Sequence, residues 1–84
     1  MPDESFVVGT IPKGQDQIQV AIKDYKGARY CDVRLWYMPK DGGEYKPTKE
    51  GVTFGLRAIK DMRDYLEEAE QLAKDKGWLK DGTK

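Results

Sequence analysis

Residues 18–37 read IQVAIKDYKGARYCDVRLWY, and the fold follows from how this stretch alternates. Ile18, Val20 and Ile22 take turns with Gln19 and Lys23, the period of two of a half-buried strand. Tyr25-Lys26-Gly27 interrupts the pattern as a turn. From Arg29 to Met38 the alternation resumes, with Cys31, Val33 and Leu35 on one parity and Tyr30, Asp32, Arg34 and Trp36 on the other. The first set is expected to face the core. Working outward, residues 6–12 are apolar and β-branched and are closed by Pro12-Lys13-Gly14, which predicts a strand before this hairpin. On the other side, residues 39–43 carry the strongest turn signal, an Asp-Gly pair, so residues 44–48 are expected to return as the next hairpin arm. Residues 51–53 continue it as a short edge piece.

After Gly55 the period changes. Ile59, Met62, Leu66, Ala69 and Ala73 are spaced 3, 4, 3, 4, and Leu56, Tyr65 and Leu72 widen the stripe, as in an amphipathic helix over about 56–76 that stops at Gly77. Trp78 and Leu79 are placed to fold back on its last turn, and residues 80–84 form a flexible tail. The predicted class is α+β, ββββα, with one domain over residues 1–84 and the sheet over about 6–53. Such a short chain has a marginal core of its own. Either the helix stripe only covers its own sheet or its 3-4 seam also pairs two chains; a helix-mediated homodimer through Ile59, Met62, Leu66 and Ala69 is the expected solution.

Composition excludes several functions. Eighty-four residues, 38% hydrophobic and 36% charged, suit one small soluble domain. No run is long enough to span a membrane, and the N-terminus lacks a secretory pattern, so a cytosolic location is the default. With one cysteine, Cys31, and no histidine, the usual zinc sites and Cys-His or Ser-His nucleophile pairs are out of reach, so neither an enzyme nor a cofactor or metal is expected. The acids Asp61, Asp64, Glu67, Glu68 and Glu70 fall on the polar face of the helix among Lys60 and Arg63, as a solvated face does.

Fifteen bases against fifteen acids make a net charge of zero, which argues against a nucleic-acid binder. Residues 1–12 hold two acids and no base, residues 13–53 eight bases and six acids, and residues 54–84 seven of each. The modest basic excess sits where the aromatics are: Lys23, Lys26, Arg29, Arg34, Lys40, Lys46 and Lys49 interleave with Tyr25, Tyr30, Trp36, Tyr37 and Tyr45. Aromatic rings for base stacking beside cations for a flexible phosphate backbone are what unpaired nucleic acid requires.

The ordered motifs IQVAIKDYKG at 18–27, Asp32-Val33-Arg34 with Trp36-Tyr37, GEYKP at 43–47 and Gly51-Val52-Thr53 resemble the C-terminal domain of the transcriptional positive cofactor four family, single-stranded-DNA-binding coactivators. The resemblance spans about residues 18–66. It implies a curved four-stranded antiparallel sheet with one helix, dimerised through the helices, holding single strands or a melted duplex without enzymatic activity. Carried over, the stacking aromatic after the turn aspartate is Tyr25, its neighbouring lysine Lys26 and the strand arginine Arg34. The strand tryptophan falls on Tyr37 with Trp36 alongside, and the later lysines are Lys46 and Lys49. Two positions depart: a basic residue after the turn glycine is Ala28 here, with Arg29 as substitute, and a lysine before the last glycine is Glu50. Strict alternation selects Trp36 where the resemblance selects Tyr37; a bulge near Leu35 would reconcile them, and both are retained.

The expected function is therefore single-stranded-DNA binding with little sequence preference, in transcription, replication or repair and alongside that machinery. A protein-interaction adaptor or RNA-binding module on the same fold is the alternative. Residues 1–17 do not resemble the Ser- and Lys-rich N-terminal region of eukaryotic members, which points to a compact bacterial or phage member, cytoplasmic and nucleoid-associated, rather than a nuclear one.

Overall fold

A computed structural model describes residues 3–80; Met1, Pro2 and residues 81–84, which include nearly all of the expected tail, lie outside the described residues. Four ten-residue strands are followed by one helix: β1 (Glu4–Lys13), β2 (Asp16–Tyr25), β3 (Ala28–Tyr37), β4 (Lys46–Gly55) and α1 (Ala58–Asp75). They form one antiparallel sheet, as the family resemblance implies, in the order β1-β2-β3-β4. Among the described residues no helix is long and apolar enough to cross a membrane.

The central hairpin closes through Lys26 and Gly27, with φ of 52° and 85°, between the paired residues Tyr25 and Ala28. Positive φ at both central residues makes this the type I′ turn, whose twist matches the right-handed twist of the strands. Asp24 trims the turn: one carboxylate oxygen accepts the Gly27 N–H at 3.2 Å and the other pairs with Arg29 Nε at 3.1 Å. The β3–β4 connection is longer than a two-residue hairpin. Its Asp41-Gly42 signal lies in a turn closed by the Gly42 N–H donating to the Pro39 carbonyl at 3.0 Å, and β4 begins only at Lys46. The expected return arm and edge piece are one continuous edge strand.

Two bulges settle which side chains share a face. In β1 the register shifts between Val7 and Gly9, leaving Val8 unpaired. Phe6 and Ile11 have opposite parity in the sequence, yet Phe6 pairs with Ile22 and Ile11 with Ile18, so the extra residue brings both to one face. In β4 the irregularity lies where Arg34 pairs with Gly51 and Trp36 with Pro47, so that Thr48, Lys49 and Glu50 stand against Leu35 alone. The Thr48 hydroxyl ties this bulge, donating to the Leu35 carbonyl at 2.9 Å and accepting the Glu50 N–H at 3.0 Å.

One sheet face is then apolar, carrying Phe6, Ile11, Ile18, Val20, Ile22, Cys31, Val33, Leu35, Val52 and Phe54. The helix meets the sheet mainly along β4. Ile59, Met62 and Leu66 line an open hollow of about 420 Å³ with Ile11, Ile18, Val20, Cys31, Val33 and Phe54. The helix begins at Ala58, two residues later than expected: Leu56 and Arg57 form a turn, and no side chain caps the first N–H groups. It ends as a Schellman motif. Gly77, at φ 77°, donates to the Lys74 carbonyl, and the Trp78 N–H to Ala73 at 2.9 Å. The backbone folds back as expected, but Trp78 remains 80% exposed.

Among the described residues only Ala21, Cys31 and Asp32 are buried. Cys31 agrees with the predicted core parity; Val33 and Leu35 are half-buried. Burial, aided by the neighbouring charge of Asp32, pushes the Cys31 thiol up from its ordinary range, so it stays protonated at neutral pH.

Gly51 is where β4 crowds β3: a Cβ there would lie 2.7 Å from the Val33 carbonyl oxygen and 2.9 Å from Arg34 Cα. Gly51→Ala should therefore destabilise by about 1–3 kcal/mol in urea unfolding, whereas Gly55→Ala, with nothing within 4 Å, should stay within about 0.5 kcal/mol. Thr48→Val, which removes the hydroxyl bonded to Leu35 and Glu50, should cost about 1–3 kcal/mol in the same assay. Equal stability of Gly51→Ala and Gly55→Ala would contradict the close crossing.

Candidate nucleic-acid interface

The second sheet face carries the residues that the first does not. Strand alternation places Gln17, Gln19, Ala21, Lys23 and Tyr25 of β2 beside Tyr30, Asp32, Arg34 and Trp36 of β3, with Pro47, Gly51 and Thr53 of β4 opposite them. Lys23, Tyr25, Tyr30, Arg34 and Trp36 of the two central strands thus share one surface.

At one end of it, Tyr25 closes β2 and is 51% exposed. The adjoining Lys26 Nζ lies 5.3 Å from the centre of its ring, within cation–π range. The Lys26 backbone N–H donates to Asp3 at 3.2 Å, which anchors the turn to the start of the chain.

At the centre sits Asp32, 2% exposed although it belongs to the polar parity. Its direct cross-strand neighbours are Ala21 and Thr53, both small, and longer side chains close over it. Arg34 Nε and Nη2 donate to its carboxylate at 3.2 and 3.0 Å, and Lys23 Nζ stands 3.6 Å away. Arg34 Nη1 reaches further, to the Thr48 carbonyl in the bulge of β4, at 2.9 Å. Arg34 is thus a bridge between the central and edge strands as well as a surface cation.

At the far end the two aromatic candidates separate. The β2–β3 pairing runs unbroken through Trp36, and the surplus residues of the bulge belong to β4, so β3 keeps its alternation. The bulge lies where it was looked for, yet it does not turn Trp36 and Tyr37 to one side. Trp36 shares the Arg34 face and is half-buried, with a buried indole N–H that finds no hydrogen-bond partner. Tyr37 falls on the opposite parity at the strand end, 40% exposed and paired with Lys46. Lys49 lies exposed in the bulge. Arg29 also falls on the parity of Cys31 and Val33, and its Asp24 ion pair borders a small hollow with Phe6, Ile22 and Leu56.

The helix candidates line up on one seam. Ile59 is half-buried, Ala69 is exposed, and Leu66 is 61% exposed. Lys23, Asp32 and Thr48 were not among the site residues expected from the sequence. Lys23 was legible among the cations interleaved with the aromatics, and an acid two residues from an arginine on one strand parity was the signal for Asp32; nothing local marked Thr48.

No curated protein matches the chain. A solved bacteriophage T5 homologue of the eukaryotic transcription coactivator PC4, implicated in recombination-dependent DNA replication, is similar in structure. Its TM-score is 0.55 at 19% identity, over 93% of this chain and 85% of that one, a likeness of fold. The profile of the family described as Transcriptional Coactivator p15 (PC4) matches residues 13–65, which hold β2, β3, β4 and the first half of the helix. The chain belongs to the transcriptional coactivator p15 (PC4) family.

Proposed function

We propose that the protein is a non-catalytic single-stranded-DNA-binding protein of the coactivator type, active in transcription, replication or repair. One observation carries the reading: Tyr25, Lys23, Arg34 and Trp36 lie on one face of the central hairpin. Stacking surfaces and cations on one platform suit bases that are already unpaired, each stack contributing on the order of 1–3 kcal/mol. Duplex DNA keeps those ring faces inside its own stack. Lys26 at the hairpin tip and Lys49 in the β4 bulge extend the contact along the strand; Arg29, Tyr37 and Lys46, which fall on the opposite parity, join it only around the strand ends. Family membership and the fold shared with a phage protein implicated in DNA replication support the same reading.

The functional unit in this proposal is a homodimer. Phe6, Ile11, Val52, Met62, Leu66 and Leu72 are exposed apolar side chains on the sheet and helix, more than an isolated chain of this size leaves open without a partner. A second copy joined along the Ile59, Met62, Leu66 and Ala69 seam would cover them, and burying a side chain such as Leu66 contributes roughly 1.5–3 kcal/mol.

Fluorescence anisotropy with dT oligomers, matched duplex and the corresponding U oligomers at two salt concentrations tests the binding. Strong preference for dT is expected; equal or negligible affinity for dT and duplex would sink the proposal, and tighter binding of U would reassign the ligand to RNA. Tyr25→Ala and the double variant Trp36→Ala/Tyr37→Ala should each weaken dT binding by about 5- to 150-fold. For the dimer, sedimentation should give the mass of two chains for the wild type. Leu66→Asp, which places a charge in the seam, should lower that mass or unfold the chain. An unchanged mass in the folded variant would remove the helix from the interface.

A further inference from the structure

Asp32 sits where a nucleic-acid-binding surface would be expected to carry no acid. Among the described residues it is the buried charged side chain, and it lies in the centre of the face that holds Lys23 and Arg34. Its carboxylate meets both cations, Arg34 at 3.0 Å and Lys23 at 3.6 Å, while the cations themselves keep 22% and 29% of their side-chain surface open. Two positive charges and one negative charge therefore act outward as about one. Of the five N–H groups of Arg34, those on Nε, Nη2 and Nη1 that bond Asp32 and Thr48 are engaged, which leaves two for a ligand.

We propose that Asp32 is a specificity-determining and positioning residue of this surface: it cancels one of the two cationic charges set into the face and holds the Arg34 guanidinium in one orientation, favouring unpaired over paired nucleic acid. The inference rests on the nucleic-acid reading above. Its physical basis is that phosphate neutralisation does not read the bases and rewards the duplex more. Duplex DNA is the denser line of charge, so each net positive charge on the protein changes the slope of log K against log salt by about 0.9 on duplex and about 0.7 on single strands. An acid beneath the cations trims the contribution that helps the wrong ligand most, and leaves discrimination to base stacking. The zero net charge of the chain is consistent with this economy.

The test is Asp32→Asn, which keeps the side chain's shape and one acceptor oxygen for Arg34 but removes the charge. Affinities for a dT oligomer and a matched duplex are measured across a salt series, with thermal melting as the control for folding. The expected result is a salt slope steeper by about 0.7 on the oligomer and about 0.9 on the duplex, with a smaller dT-to-duplex affinity ratio at low salt. A folded variant with wild-type slopes and an unchanged ratio overturns the proposal, since a purely structural role would alter melting alone. If the single variant does not fold, Asp32→Asn/Lys23→Gln restores the face to its original net charge. Wild-type slopes are then expected, and slopes flatter by about 0.7 on the oligomer would show that Lys23 counts in full and Asp32 not at all. Wild-type protein that binds no nucleic acid defeats the earlier reading; wild-type binding with unmoved slopes in the variants defeats this one only.

Discussion

The guanidinium of Arg34 joins the buried carboxylate of Asp32 in the middle of the sheet to the Thr48 carbonyl in the bulge of the edge strand. Without that bridge β4 would have a poorly held start, because Thr48, Lys49 and Glu50 stand against one residue of β3 and lack a regular ladder there. The bridge also sets what the outer surface can offer. A buried ion pair is weak evidence for stability, since desolvation offsets much of the attraction; removing one partner is strongly destabilising because it strands the other charge. The node therefore specifies a geometry more than it adds to a total: it fixes the path of β4, the orientation of Arg34 and the reach of Lys23.

The two sheet faces divide the work. One carries aromatics and cations, with a carboxylate beneath the cations; the other carries aliphatic side chains with Phe6 and Phe54, left partly open above a hollow that the helix borders but does not fill. Only Ala21 and Cys31 are buried apolar residues among those described, a small core for a chain with four ten-residue strands. A sheet of this length offers more apolar surface than one amphipathic helix can cover, and water contact with Phe6, Leu66 and Leu72 opposes the isolated state. In the proposed homodimer the same residues would be covered.

The balance of charge is easier to understand from the surfaces than from the total. Residues 54–84 are neutral in sum, although α1 itself holds six acids and three bases, and the first residues are acidic, while the sheet holds a small basic excess in which Asp24 engages Arg29 and Asp32 engages Arg34 and Lys23. Cations paired with acids release fewer counterions when they meet phosphate, so a surface of this kind must draw more of its affinity from rings.

Much of the architecture was legible in order and period. Alternation at Ile18, Val20 and Ile22, the Tyr25-Lys26-Gly27 turn, the 3-4 spacing from Ile59 to Ala73 and the Gly77 stop each report a local constraint that acts through the residue's own backbone, and each element lies where these signals put it. The candidate site was only partly legible. Tyr25, Lys26, Arg34 and Trp36 could be read from parity, but parity is relative, and an inserted residue reverses it without local warning. Val8 in β1 brings Phe6 and Ile11 to one face, and the bulge in β4 leaves Trp36 and Tyr37 on opposite sides because its extra residues belong to the neighbouring strand. Asp32 reads as a solvent residue in the sequence; it is buried because the strands on either side place Ala21 and Thr53 beside it and let Arg34 and Lys23 close over it. The sequence by itself determined the strands, the turn and the helix, which depend on neighbours along the chain; the tertiary structure alone decided which acid is buried, which cations it holds and which faces the rings take, because those depend on cross-strand register.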